Sequence, residues 1–200
     1  MSDYDFSQYR ILIDEAITYD DLIKARALIR EALHAATMAE NLGERMYFCA
    51  QERIVEQDFE SAIKYLDLAI VHNPRDGAAY NDRALCMIDM GSWDDALLYF
   101  DRGIAVEPDF ATIHHNKGWF LNQLGRHREA LECFNEALRL SPERPVTYEN
   151  MADAYVHLGD LEEAINAYKK ALSLLSKGNE DIKKELMKLI RILRRRQKQI

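Results

Sequence analysis

The chain has few cysteines and few prolines, and it has no long run of apolar residues. Its three cysteines, Cys49, Cys86 and Cys133, are an odd number without a C-x-x-C pair, which argues against a disulfide framework and a thiolate metal cluster. Only four prolines among 200 residues, with 48% hydrophobic and 30% charged residues, exclude a disordered or fibrous chain. No apolar run approaches the roughly 20 residues of a membrane span. We therefore expect a folded globular protein with reduced thiols.

Signals for export and for catalysis are also missing. The first ten residues, MSDYDFSQYR, are acidic where a secretory signal is basic, so we expect a cytoplasmic protein. The sequence contains no HExxH, Walker or G-x-S-x-G motif and no cysteine–histidine metal spacing. His114 and His115 are adjacent, and neighbours on a helix point about 100° apart, so they would not chelate one ion together. We expect no catalytic residue, no metal and no cofactor, and therefore no enzyme.

The sequence does contain an internal repeat of 34 residues. Three columns recur at this spacing: Pro74, Pro108 and Pro142; Gly91, Gly125 and Gly159; and Ala62, Ala96, Ala130 and Ala164. Self-similarity at a fixed period of this length is the sequence signature of an array of stacked structural units. We therefore predict four repeats, at 43–76, 77–110, 111–144 and 145–178.

Each repeat is predicted to be a helical hairpin. Apolar residues recur at spacings of three and four on both sides of the repeated glycine, which indicates two amphipathic helices. The glycine lies where the first helix must end in a left-handed residue, a conformation that glycine enters without a Cβ penalty. Gln57 occupies this place in the first repeat, so its turn should be less favourable. The repeated proline follows the second helix and prevents its continuation.

These columns resemble the tetratricopeptide repeat family. The family's small residue, turn glycine, alanine, aromatic, alanine and proline are matched by Gly118, Gly125, Ala130, Phe134, Ala137 and Pro142. The aromatic residue that the family has early in the first helix is replaced by Met46 and His114 in two of the repeats. The resemblance implies an all-α fold, a right-handed α-α superhelical solenoid of antiparallel helix hairpins.

The two ends of the chain differ from the regular array. Residues 1–42 are predicted to form a degenerate helical hairpin, because a similar apolar spacing recurs there at an offset of 37 residues. Residues 179–200 are predicted to form a basic amphipathic helix that caps the stacking face of the last repeat, with Asn179 capping its N-terminus. Residues 177–200 carry a net charge of +6 and the whole chain carries −8, which leaves −14 for residues 1–176.

The resemblance implies that the first helix of each repeat lines a concave groove, through positions 2, 5, 6, 9, 12 and 13 of the repeat. None of these twenty-four residues is Lys or Arg. The groove residues that we predict to bind a ligand are Tyr47, Phe48, Asn81, Asp82, Asp89, His115, Asn116, Trp119, Asn122, Glu149, Asn150 and Asp153. The groove is therefore expected to be acidic and rich in asparagine, with aromatic anchors.

This composition separates two binding modes of the family. A clamp of lysine and arginine that grips an acidic peptide cannot form, because Arg10 is the only comparable base. Asn116 and Asn150, which share a repeat position, resemble instead the asparagine ladders that bond the backbone of an extended peptide. We expect a non-enzymatic interaction scaffold or adaptor that binds a basic or neutral peptide segment of a partner protein, whether extended or helical.

The basic C-terminal helix supports an alternative function. It could contact the acidic body of another copy in a self-assembling scaffold or chaperone, or it could meet an anionic surface. A homo-oligomer is therefore possible, and a membrane contact only through this helix. No nucleic acid is expected as a partner, because the body is acidic and no aromatic residues interleave the basic run.

Overall fold

The computed structural model describes residues 5–18, 21–176 and 178–198. Within these ranges it contains eleven α-helices and no strand, which confirms the predicted all-α class. The helices are α1 (Phe6–Thr18), α2 (Leu22–Met38), α3 (Leu42–Val55), α4 (Phe59–His72), α5 (Gly77–Asp89), α6 (Trp93–Val106), α7 (Ala111–Gln123), α8 (His127–Leu140), α9 (Pro145–Leu158), α10 (Leu161–Leu174) and α11 (Glu180–Gln197).

The helices belong to two compact units, Met1–Pro108 and Asp109–Ile200, here called the N-terminal and the C-terminal unit. Within each unit every helix packs on the next helix along the chain, from α1 to α6 and from α7 to α11. This serial packing is that of a solenoid of helix hairpins, in which each element contacts mainly its neighbours. Among the described residues, no helix is both long and apolar enough to cross a membrane.

The turn inside each repeat has the left-handed residue that the glycine column predicts. Gly91, Gly125 and Gly159 have φ values of 79°, 76° and 83°. Gln57 adopts the same conformation, with φ of 61°, although its side chain makes this backbone geometry costly. The geometry of the turn is thus a property of the repeat, and the first repeat adopts it without a glycine.

Small residues let the paired helices approach closely. Ala62, Ala96, Ala130 and Ala164 are all completely buried. At Gly118, in the middle of α7, a Cβ atom would lie only 2.8 Å from two ring carbons of Phe134. Phe134 is itself completely buried on α8. The glycine and the phenylalanine therefore form a close-packed contact in the core of the C-terminal unit.

The last helix covers the end of the C-terminal unit. Leu186, Ile190 and Leu193 bury one face of α11, which packs against α10. Helix α11 begins directly after Asn179, as the sequence predicts. The residue stands at the N-cap position without a side-chain capping bond, and its amide donates instead to Ser176 Oγ at 3.1 Å.

Candidate functional site

Two predicted groove residues of the N-terminal unit, Tyr47 and Asn81, converge with Gln51 on the carboxylate of Asp82 on α5. It accepts hydrogen bonds from the Tyr47 hydroxyl at 2.8 Å, from Gln51 Nε2 at 2.6 Å and from Asn81 Nδ2 at 2.9 Å. Burial raises the pKa of Asp82 to about 6, although the hydrogen bonds from Tyr47 and Asn81 oppose this shift. Burial and the Asp82 charge raise the pKa of Tyr47 well above its ordinary value. Three donors from the chain itself therefore satisfy the carboxylate.

An arginine from α1 occupies the neighbouring part of this face. Arg10 makes two hydrogen bonds to Asp76, at 2.8 and 2.6 Å, and two to Glu44, at 3.3 and 3.0 Å. Its guanidinium carbon lies 3.8 Å from the centroid of the Tyr47 ring. Burial alone would lower the pKa of Arg10, but the hydrogen bond to Asp76 and the charges around it raise the pKa above the ordinary value. We call Arg10, Glu44, Asp76 and Tyr47 the arginine cradle.

The sequence prediction of the site missed the arginine cradle, because it treated Arg10 only as an isolated base. A signal for it exists, since Arg10 precedes Glu44 by 34 residues and so falls one repeat before it. Asp76 gives no such signal. It lies in the loop before α5, where its side chain also caps that helix by accepting from the Ala79 N–H.

Three of the predicted residues in this unit are corrected by the structure. Tyr47, predicted as an anchor, is only 6% exposed and its hydroxyl donates to Asp82. Phe48, predicted as an anchor for a ligand, is completely buried and packs near the rings of Phe6 and Tyr9, so it offers no surface. Asn81 is only 4% exposed and its amide is engaged with Asp82. Asp89 is exposed at the end of α5. The predicted set in this unit therefore mixes core and surface residues.

In the C-terminal unit the remaining predicted residues lie on α7 and α9, two helices that contact each other. The half-buried ones are Asn116, Trp119 and Asn122 on α7 and Glu149, Asn150 and Asp153 on α9. His115 is the exception, because it is buried, its Nδ1 lies 2.9 Å from Thr147 Oγ1, and its ring centroid is 5.9 Å from that of Phe134. His115 therefore belongs to the packed interior, which corrects its predicted role in ligand binding.

Two carboxylates, Glu149 and Asp153, stand one helical turn apart on α9. Burial and the charge of Asp153 raise the pKa of Glu149. Asp153 accepts a hydrogen bond from the Tyr168 hydroxyl of α10. Within the described ranges, neither carboxylate forms an ion pair with the chain's own cations. Like charges at this spacing repel each other, so a cation beside them would be stabilised.

A cavity of about 400 Å³ opens beside Asp153. It is lined by Asn122, Gln123, Gly125, His127, Asp153, Val156 and His157. The His127 and His157 rings stack in parallel with centroids 4.5 Å apart, and His127 Nδ1 lies 2.6 Å from Asn122 Oδ1. Burial and the charge of His157 lower the pKa of His127. In the part of the chain that the structure describes, no three His, Cys, Asp or Glu side chains are grouped to hold a metal ion.

Acidification is expected to destabilise the C-terminal unit through His115. Burial, with the charge of Arg144, lowers the pKa of His115 from 6.5 to about 4, so between these values mainly the unfolded state binds the proton. When the pH is lowered from 7 to 5, His115 should therefore contribute a loss of about 2 kcal/mol to the free energy of unfolding, which urea unfolding of the wild type and a variant at the two pH values measures. His115→Gln, which keeps a polar group near Thr147 but does not titrate, should lose about 2 kcal/mol less over the same interval. An equal loss in both proteins would contradict the assignment.

Comparisons with known proteins agree with this architecture. Residues 109–177 match the family model described as tetratricopeptide repeat. TTC0263, a thermophilic tetratricopeptide repeat protein of Thermus thermophilus, aligns with a TM-score of 0.71 at 19% identity, covering 94% of this chain and 98% of its own. MamA of Desulfovibrio magneticus RS-1 aligns with a TM-score of 0.61 at 19% identity, covering 78% of this chain and 97% of its own.

A third solved structure, YrrB, is described as a tetratricopeptide repeat protein with an unusual peptide-binding site. It aligns with a TM-score of 0.58 at 18% identity, covering 87% of this chain and 88% of its own. No curated protein sequence matches this chain significantly. Residues 109–177 therefore match the tetratricopeptide repeat family, and the chain shares the solenoid fold of these solved structures.

Proposed function

We propose that this chain is a non-enzymatic interaction scaffold of the cytoplasm that captures a basic peptide segment of a partner protein on the α7–α9 face of its C-terminal unit. The observation that carries the proposal is the acidic pair on α9. Glu149 and Asp153 lie half-buried, one turn apart, without an ion pair among the described residues. A lysine or arginine of a partner would relieve their repulsion and form charge-assisted hydrogen bonds.

The arginine cradle supports this chemistry from within the chain. In the N-terminal unit two carboxylates and an aromatic ring already bind a guanidinium, that of Arg10. Glu44 and Tyr47 of the cradle occupy repeat positions 2 and 5, from the same set of positions that supplies Glu149 and Asp153. The equivalent surface of the C-terminal unit is therefore suited to a cation that comes from outside the chain.

Amide and indole groups on the same face would add backbone recognition and an apolar contact. Asn116 and Asn150 are 34 residues apart, and an amide both donates to and accepts from a peptide backbone. Trp119 is half-buried on α7 and would provide a hydrophobic anchor, a residue type that often dominates the energetics of interfaces. YrrB, which has a similar fold, is described as having a peptide-binding site, and this supports the same kind of ligand here.

The proposal is tested by selecting a random peptide display library against the full chain and measuring the recovered peptides by fluorescence anisotropy. The selected peptides should be enriched in lysine and arginine and should bind more weakly at high salt. Glu149→Gln and the double variant Asn116→Ala with Asn150→Ala should each weaken binding about 10-fold or more, since each removes hydrogen bonds to the ligand.

The matched control lies on α8. Glu132→Gln and Asn135→Ala make the same chemical changes at exposed positions of that helix and should leave the affinity unchanged. Recovered peptides without a basic bias, or equal losses in the α8 and α9 variants, would contradict peptide capture by this face. Circular dichroism of all variants establishes that the fold is retained.

A further inference from the structure

A cleft of about 480 Å³ lies between α10 and α11, formed by residues different from those of the α7–α9 face. Its lining consists of Lys169, Leu172, Met187, Ile190, Arg191, Arg194, Arg195 and Lys198. Five of these eight residues are cations and three are apolar, and Met187 is 48% exposed. We call this feature the basic cleft.

The cations of the basic cleft differ from the other lysines of α11. Lys183, Lys184 and Lys188 each pair with an acidic residue three positions earlier on the helix. The cleft cations form no ion pair within the described part of the chain. Three of them stand on α11 at positions 191, 194 and 195 and the fourth, Lys198, follows at its C-cap, a spacing that places them on one side of the helix.

Interaction with the helix dipole explains only part of this arrangement. Basic residues in the last turn of α11 are stabilised by the negative end of the helix. Lys169 gains nothing from that effect, because it lies on α10, yet it lines the same cleft. Five like charges around one cleft repel one another, so an anionic ligand would be stabilised there.

We propose that the basic cleft is a second protein-binding site, which takes an acidic segment of a partner that also carries apolar side chains. Three arginines present planar donors that match carboxylates in bidentate geometry. Met187, which is exposed, and Leu172, which is half-buried, provide apolar contact between these donors. Because the α7–α9 face is suited to the opposite charge, the two sites would hold different segments.

The observations favour this ligand over a membrane or a nucleic acid. The apolar stripe of α11 that could insert into lipid, Leu186, Ile190 and Leu193, is buried in the contact with α10. The lining of the cleft contains no aromatic side chain on which a base could stack. Residues 1–176 carry −14, which disfavours a polyanionic surface that extends beyond the cleft.

The test uses the full chain and two labelled peptides of about 15 residues, long enough for four helical turns. One peptide contains glutamate and leucine at helical spacing, and in the other each leucine is replaced by serine. The first should bind, and the second should bind at least about 10-fold more weakly, because the apolar contact is lost. Equal binding of both peptides would overturn the apolar part of the proposal.

Charge reversal locates the site. Arg194→Glu with Arg195→Glu should weaken binding of the glutamate–leucine peptide at least about 10-fold, and Lys169→Glu on the other wall should weaken it too. Lys184→Glu with Lys188→Glu makes the same charge change on α11 outside the cleft and should alter binding by less than about 2-fold. If the cleft and control pairs weakened binding equally, a general positive field would explain it and the site would be rejected.

Three further results would overturn the assignment to a partner protein. Binding of phosphatidylserine vesicles, or of duplex DNA, in place of the peptide would assign the cleft to lipid or nucleic acid. Self-association in sedimentation that is abolished by the cleft reversal, and not by the control pair, would assign it to a second copy.

Folding of the variants is checked by circular dichroism. If the double reversal disturbs folding, Arg194→Gln with Arg195→Gln provides the same comparison with a smaller perturbation. Basic peptides selected on the α7–α9 face should bind this variant normally, so a failure of one site is distinguishable from a failure of the other.

Discussion

Replacing Arg10 by alanine is expected to lower the free energy of unfolding of the N-terminal unit by about 3 kcal/mol, which urea unfolding measures. The side chain of Arg10 is 18% exposed, and those of its partners Glu44 and Asp76 are 16% and 6% exposed. Without the guanidinium, two poorly solvated carboxylates would remain without their counterion. Burial already raises the pKa of Glu44, even though the charge of Arg10 opposes that shift.

The variants that test this prediction distinguish the loss of the Arg10 charge beside two carboxylates from the loss of an arginine in general. Arg26→Ala removes an exposed arginine of α2 and should change the free energy of unfolding by less than about 0.5 kcal/mol. Adding Glu44→Gln and Asp76→Asn to Arg10→Ala should recover part of the loss, because both carboxylates become neutral and asparagine can still cap α5. An Arg10→Ala protein as stable as the wild type would show that the cradle contributes nothing to folding.

The fold could be predicted from the sequence because its determinants recur. Three features recur in the sequence every 34 residues: the glycine that must adopt positive φ, the small residue at a helix contact and the proline after a helix. Gln57 shows that the turn forms even where the glycine is missing, because the other repeated residues of the first repeat still define its two helices. The sequence could not show how the chain divides into two compact units, because the repeats run through position 108 without a break in the pattern.

The candidate site was less predictable than the fold, because helical spacing determines which side of a helix a residue lies on but not how far its side chain is buried. Tyr47, Phe48 and His115 occupy repeat positions that point toward the predicted groove, yet all three are buried. Each is covered by side chains from other elements, as when the Arg10 guanidinium lies over the Tyr47 ring. Such contacts depend on individual side chains that do not recur in every repeat, so the repeat pattern shows only part of them, such as the offset of 34 residues between Arg10 and Glu44.

Replacing Phe134 by alanine is expected to lower the free energy of unfolding of the C-terminal unit by about 4 kcal/mol. The ring is completely buried on α8, and it lies against the backbone of α7 at Gly118. Removal of the ring leaves a cavity beside a residue that has no side chain to fill it, which adds a cavity term to the lost burial. Urea unfolding of the full chain, followed by circular dichroism, measures the change.

A second substitution at Gly118 reveals whether this contact is as close as the structure shows. Gly118→Ala alone should destabilise the unit by about 1 to 3 kcal/mol, because its Cβ would lie 2.8 Å from the Phe134 ring and 3.1 Å from the Ala130 carbonyl oxygen. In the Phe134→Ala background the same methyl enters the cavity, so it should stabilise the protein by about 1 kcal/mol. The higher helix propensity of alanine is common to both backgrounds and cancels in the double-mutant cycle. An effect of Gly118→Ala that is the same in both backgrounds would show that the ring and the glycine are not in close contact.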